Sequence, residues 1–226
     1  MLFRSPVRSP AGGPRGAVAV LVGAGAPYWW LWLQRLFAQA AYSCLTVYGV
    51  FFLIRRVGRE PHDAASLVAL LTAVGAGTGM AMAMGGARVL ARRLGYRPVM
   101  AGGILLLLGA NLLLTTATSA TSYVVALLCA GAGLGTYVAL DLAAALAVLP
   151  DGANGRLLGY FNIARTLPQT VVPALGPAFL AMGSGDVVGV DPSRNYFAFF
   201  LFGSALAAVA LVLLTRMTVP ERDRTG

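Results

Sequence analysis

Between Arg97 and Asp141 the chain runs from Pro98 to Leu140, forty-three residues, without one charged side chain. A water-facing fold has no use for such a stretch, because an amphipathic surface helix or strand brings polar residues back every few positions. A spanning helix needs about 20 consecutive apolar residues, so this stretch is too long for one span and long enough for two. The polar group Thr116, Thr118, Ser119, Thr121 and Ser122 divides it. The expected spans are therefore 98–117 and 121–149.

The rest of the 226 residues follows the same rule. Runs bounded by charge or turn residues fall at about 28–54, 65–87, 157–182 and 195–215, which makes six spans in all. The expected fold is an all-α membrane protein with a six-helix domain over 28–216. Residues 1–27 form a linker-like cytoplasmic segment and 217–226 a short tail. Composition agrees: 58% of residues are hydrophobic, 11% are charged and the mean hydropathy is +0.76, whereas soluble domains carry about 25% charged residues. The stretch from Ala17 to Ala26 after three arginines superficially matches a signal peptide. It is weakly hydrophobic, however, and runs into Pro27, Tyr28, Trp29 and Trp30, which read as an interfacial anchor.

The net charge of +9 arises from seventeen arginines, no lysine and eight carboxylates. A nucleic-acid binder would gather such charge on one solvated face, but these arginines punctuate apolar runs and read as topology signals; no nucleic-acid partner is expected. Counted on alternate sides, one side holds Arg4, Arg8, Arg15, Arg88, Arg92, Arg93, Arg97, Arg156, Arg216, Arg222 and Arg224. The other holds Arg55, Arg56, Arg59 and Arg194. Cytoplasmic loops retain positive charge, so both termini are expected in the cytoplasm, in a multi-pass protein of the inner (plasma) membrane.

Polar residues inside spans are costly and mark cavities, partners or function. Arg35, Gln39, Tyr42 and Thr46 follow one another at helical spacing in the first span, and Asn162, Arg165 or Thr166, and Gln169 do so in the fifth. The two stripes suggest a shared hydrophilic cavity, against a plainer alternative of snorkelling arginines and interhelical amide bonds. Asp141 is the sole carboxylate within a span and stands one turn after Tyr137. Desolvation disfavours a charged carboxyl group, which makes Asp141 the candidate for proton coupling; the plainer reading pairs it with Arg35 or Arg165. Pro168, Pro173 and Pro177 each remove a backbone donor from the fifth span, as expected of a kinked, cavity-lining helix. Gly75 and Gly79, and Gly131 and Gly135, have the spacing of close helix packing. Cys44 and Cys129 lie in apolar runs, and no metal site, cofactor or disulfide is implied. Enzyme chemistry is not expected, since the spans hold no Ser/His or paired-carboxylate arrangement and the single histidine, His62, falls in a loop.

Three stretches carry a resemblance. Arg92, Arg93, Leu94, Gly95, Tyr96, Arg97 and Pro98 resemble the cytoplasmic loop signature of the major facilitator superfamily, with Arg92 where an Asp is usual and Arg88 where a Gly would begin the motif. Leu140, Asp141 and Leu142 leading to Val148, Leu149, Pro150 and Asp151 resemble the end of the tenth helix in glycoside/pentoside/hexuronide and sucrose/cation symporters. Leu158 to Gln169 resembles the start of their eleventh helix, with Arg165 in place of a small or amide residue. The resemblance implies a C-terminal six-helix half of a twelve-helix transporter, a site for a small polar solute such as a sugar, and a second six-helix half or self-association as partner. Arg35, Gln39, Tyr42, Tyr137, Asn162, Arg165 and Gln169 would then line the cavity. Drug or metabolite efflux, and a non-transporting remnant or accessory subunit, are the alternative expectations.

Overall fold

The structure, a computed structural model, describes residues 25–148, 154–182 and 195–216. All secondary structure among the described residues is helical: α1 (Gly25–Val47), α2 (Gly49–Arg55), α3 (Pro61–Ala81), α4 (Ala87–Leu94), α5 (Tyr96–Thr116), α6 (Ala120–Val148), α7 (Asn154–Ala181) and α8 (Tyr196–Arg216). A π-helical turn, Met82–Gly86, carries α3 into α4 without a loop. The linker and tail expected at the ends lie largely outside the described residues, although Gly25, Ala26 and Pro27 already belong to α1.

Four helical bodies, Pro61–Leu94, Tyr96–Thr116, Ala120–Ala145 and Tyr196–Arg216, are long and apolar enough to cross a membrane. The first expected span is two helices, α1 and α2, that meet at Tyr48 with a bend of 41°, and it makes a fifth body if counted as one. The second is longer than expected, because the helix continues through Arg88 to Leu94. The fifth expected span is the 28-residue α7, long enough at 1.5 Å per residue but less apolar than the others because of its polar stripe. His62 is in the first turn of α3 rather than in a loop, since Pro61 opens that helix and its missing N–H costs nothing there.

Local chemistry sets the connections. Ser119 Oγ accepts the N–H of Ser122 at 3.2 Å and caps α6. Asn195 Oδ1 accepts the N–H of Ala198 at 2.9 Å to cap α8, and its Nδ2 donates to Met182 O at 2.7 Å, joining α8 to the end of α7. Between α4 and α5 a single residue turns the chain, Gly95 with φ 90°. Any side chain would be strained there, and its N–H still donates to Ala91 O.

Contacts fix the directions. Gly75 meets Gly131 and Gly79 meets Gly135, so α3 and α6 run parallel. Arg35 reaches Asp141 while Gly49 lies on Tyr123, so the α1–α2 body is antiparallel to α6. Hydrogen bonds from Tyr28 to Leu157 O, Trp32 to Tyr160 O and Tyr48 to Pro173 O make α1 parallel to α7. The starts of α1, α5 and α7 therefore lie at one face with the ends of α4, α6 and α8.

The main packed pairs are α5 with α6 and α1 with α8; α3 with α6 and α1 with α7; α5 with α8; α1 with α6; and α7 with α8. This pattern largely maps onto itself when α1–α2, α3–α4 and α5 are exchanged for α6, α7 and α8. The contacts of α1 with α5 and of α2 with α3 are the exceptions, since their counterparts, α6 with α8 and α6 with α7, are not among the main pairs. The glycines allow these approaches: a Cβ on Gly131 would come 2.8 Å from Gly75 O, and one on Gly133 2.6 Å from Gly103 O.

Candidate functional site

The most concentrated polar chemistry among the described residues lies where α1 crosses α6 near the face on which α1 begins. Asp141 is fully buried, and its Oδ2 accepts a hydrogen bond from Arg35 Nη1 at 2.6 Å. Tyr137, one turn earlier on α6, places its hydroxyl 3.0 Å from Asp141 Oδ1 and 2.9 Å from Gln34 Oε1. The face of the Phe161 ring, on α7, lies 4.2 Å from the Arg35 guanidinium carbon. Arg35 thus joins three helices, through charge on one side and a ring quadrupole on the other.

Helical spacing accounts for the assembly. Gln34 and Arg35 are consecutive and fan over the width of α6, while Tyr137 and Asp141 are four residues apart and stack on one face. An isolated charge at this depth would be costly; a guanidinium and a carboxylate in contact are jointly neutral and each supplies the other's partner. Proton counting adds a constraint. A tyrosine hydroxyl has one proton, so with Asp141 ionised Tyr137 donates to Oδ1 and the Gln34 amide must turn its NH2 toward the phenolic oxygen. With Asp141 protonated, Oδ1 donates to Tyr137 and Tyr137 donates to Gln34 Oε1. The two proton arrangements differ by a flip of the Gln34 amide, with Tyr137 and Asp141 left in place.

Of the sequence-derived candidates, Arg35, Tyr137 and Asp141 come together here. Gln39 is buried one turn further along α1, and Tyr42 is half-buried. Asn162, Arg165 and Gln169 do not join them. With Thr166 and Thr170 they are exposed along α7, on a face that no other described helix covers. Among the described residues the α1 and α7 stripes therefore do not share a cavity: Phe161 and Leu157 turn the apolar side of α7 inward, while Asn162, Arg165 and Gln169 turn out. A partly open cavity between α1, α7 and α8, about 220 Å³ around Pro168 and Val172, is lined by apolar side chains. In the loop motif Arg92, Arg93 and Arg97 are exposed at the α4–α5 connection, and Gly95 is the turn itself.

Sequence reasoning missed Gln34, Phe161 as a ring partner, and Asn111. Asn111 Nδ2 donates to Ala41 O at 3.1 Å and to Leu107 O at 2.9 Å, tying α5 to α1. As the sole amide in an otherwise apolar span, it carried a signal. It also missed Tyr48, whose hydroxyl donates to Pro173 O at 2.8 Å.

No protein-family model matches this chain, and no curated protein matches it. The reading of the site therefore rests on its geometry and on the sequence.

Proposed function

We propose that this chain is one six-helix half of a secondary transporter of the major facilitator type, held in the inner (plasma) membrane with both termini cytoplasmic. It would move a small polar solute such as a sugar, by proton coupling or as a uniporter. The observation that carries this reading is the exchange pattern of the packing. Three consecutive helical bodies and the three that follow exchange places in the contacts made between the two sets, and an odd number of crossings per set inverts one relative to the other. Nested three-plus-three inverted repeats are how such transporter halves are built. The exposed polar stripe of α7 supports it further, since Asn162, Arg165 and Gln169 need water, solute or a partner half where this chain offers none.

The test is uptake of labelled sugars by proteoliposomes holding the purified chain, with its assembly state measured in the same preparation. Uptake is expected only when two copies, or this chain and a second six-helix half, are assembled. Robust uptake by a demonstrably monomeric preparation would refute the half-transporter reading. One observation favours a second reading, an accessory or non-transporting subunit: Asp141 is fully buried and paired, which suits a static strut. Absence of uptake by any assembled form would select it.

A further inference from the structure

Helical structure continues from Pro61 to Leu94, 34 residues, which is roughly 50 Å at 1.5 Å per residue. The hydrocarbon of a bilayer is about 30 Å thick, so in a membrane part of this body stands outside it, and the arginine-rich last turns are the part that favours the headgroup layer. Those turns are α4. There Ala87 and Ala91 face inward, and every other side chain is exposed. Arg88 and Arg92, four apart, share one flank, while Leu90 and Leu94, also four apart, share the opposite one. Arg93 and Arg97 sit on either side of the Gly95 turn and are exposed as well.

Among the described residues, no carboxylate on this face neutralises them. The carboxylates among the described residues are Glu60 and Asp63, beside the opposite end of α3, and Asp141, which Arg35 already holds. The segments joined to this face bring Asp151, Glu221 and Asp223, three acids against the eleven arginines on this side of the sequence. Complete pairing of those acids would still leave a large positive excess. Guanidinium groups bind phosphate through paired N–H donors, and Arg93, which lies between the two flanks on the outer side of α4, adjoins the leucine flank that suits an acyl chain.

We propose that α4 and the turn after it form a binding site for an anionic phospholipid, with Arg88, Arg92, Arg93 and Arg97 on the headgroup phosphate and Leu90 and Leu94 against its acyl chains. The site depends on the membrane reading but not on transport. Its role is to anchor the long α3–α4 body, which touches the rest of the protein mainly through its glycine stripe.

The test is lipid binding by the full chain in neutral detergent, followed by native mass spectrometry, with phosphatidylglycerol and phosphatidylcholine as probes. Phosphatidylglycerol should bind in preference. At about 1 kcal/mol per surface arginine, each change of Arg88, Arg92, Arg93 or Arg97 to Gln should weaken it roughly fivefold. The four Arg→Lys changes should retain most of the affinity, and Arg55→Gln with Arg59→Gln should leave it unchanged; helicity by circular dichroism shows whether each variant folds. Equal binding of the two lipids, or undiminished binding by the folded quadruple Gln variant, overturns the site. Capture of a soluble polyglutamate peptide without preference for phosphatidylglycerol overturns it in favour of an acidic protein partner. Release of the chain from membranes by alkaline carbonate would instead remove the membrane reading beneath it.

Discussion

Tyr48 donates to the carbonyl of Pro173, the acceptor that Pro177 leaves without its helical donor. In an α-helix the N–H of residue 177 would bond to the carbonyl of residue 173, and proline has no N–H. The phenol replaces it from a neighbouring helix, at the joint where α1 bends into α2. Gly176 makes room, for a Cβ there would collide with the Tyr48 ring. Tyr48→Phe should therefore destabilise the fold by about 1 kcal/mol. In a Pro177→Ala background, where the helical donor is restored, the loss should be smaller. Equal losses in both backgrounds, measured by denaturation in detergent, would show that the bond does not serve the orphaned carbonyl.

Removing one member of the buried ion pair should be far worse than removing both. Asp141→Asn leaves Arg35 buried without its counter-ion, and a loss of about 3–5 kcal/mol is expected. Arg35→Gln combined with Asp141→Asn should recover much of it. Folded yield and thermal stability in detergent read the difference, and a double variant worse than the sum of the single ones would contradict the pairing.

Transport assays separate the roles of Asp141 further. If protons move through the Asp141, Tyr137 and Gln34 chain, a folded Asp141→Asn protein in proteoliposomes should keep solute exchange and lose accumulation driven by a pH gradient. Tyr137→Phe removes the hydroxyl that links the carboxylate to Gln34 and should slow the same step. Unimpaired proton-driven accumulation in folded variants would remove Asp141 from coupling.

At the crossing of α3 and α6, Gly135→Ala would drive its methyl into the backbone of Gly79. Separation of the two helices should destabilise the protein by about 1–3 kcal/mol. Gly77 is the control: a Cβ there meets nothing within 4 Å, so Gly77→Ala should be neutral or stabilise by up to about 1 kcal/mol. Similar effects at both sites would argue against the observed register.

Both ends of the chain should label from the same side as Arg88–Arg97. Single cysteines at Ser5 and Thr225, in a background with Cys44 and Cys129 replaced, should react with impermeant maleimide only after the cells are opened. Labelling of either from outside intact cells would invert the orientation argued from the arginine count.

The sequence by itself determined the helical class, most of the helix boundaries and the glycine pairs, because these follow from runs of apolar residues and from one-dimensional spacing. Thus 98–117 and 121–149 differ from α5 and α6 by two residues at most. It also showed that Asp141 needs a partner or a purpose, since a lone acid in a span is costly wherever the fold places it. What it could not decide was the partner. Arg35 and Arg165 each lay on a polar stripe, and only the rotation and neighbour of each helix distinguish them: α1 turns Arg35 onto α6, while α7 packs through Leu157, Phe161 and Ala164 and leaves Arg165 outside. The bend at Tyr48 and the use of its phenol by α7 were hidden for the same reason. An orphaned carbonyl can be predicted from a proline, but the donor that answers it comes from more than a hundred residues away, and its position is set by how whole helices pack.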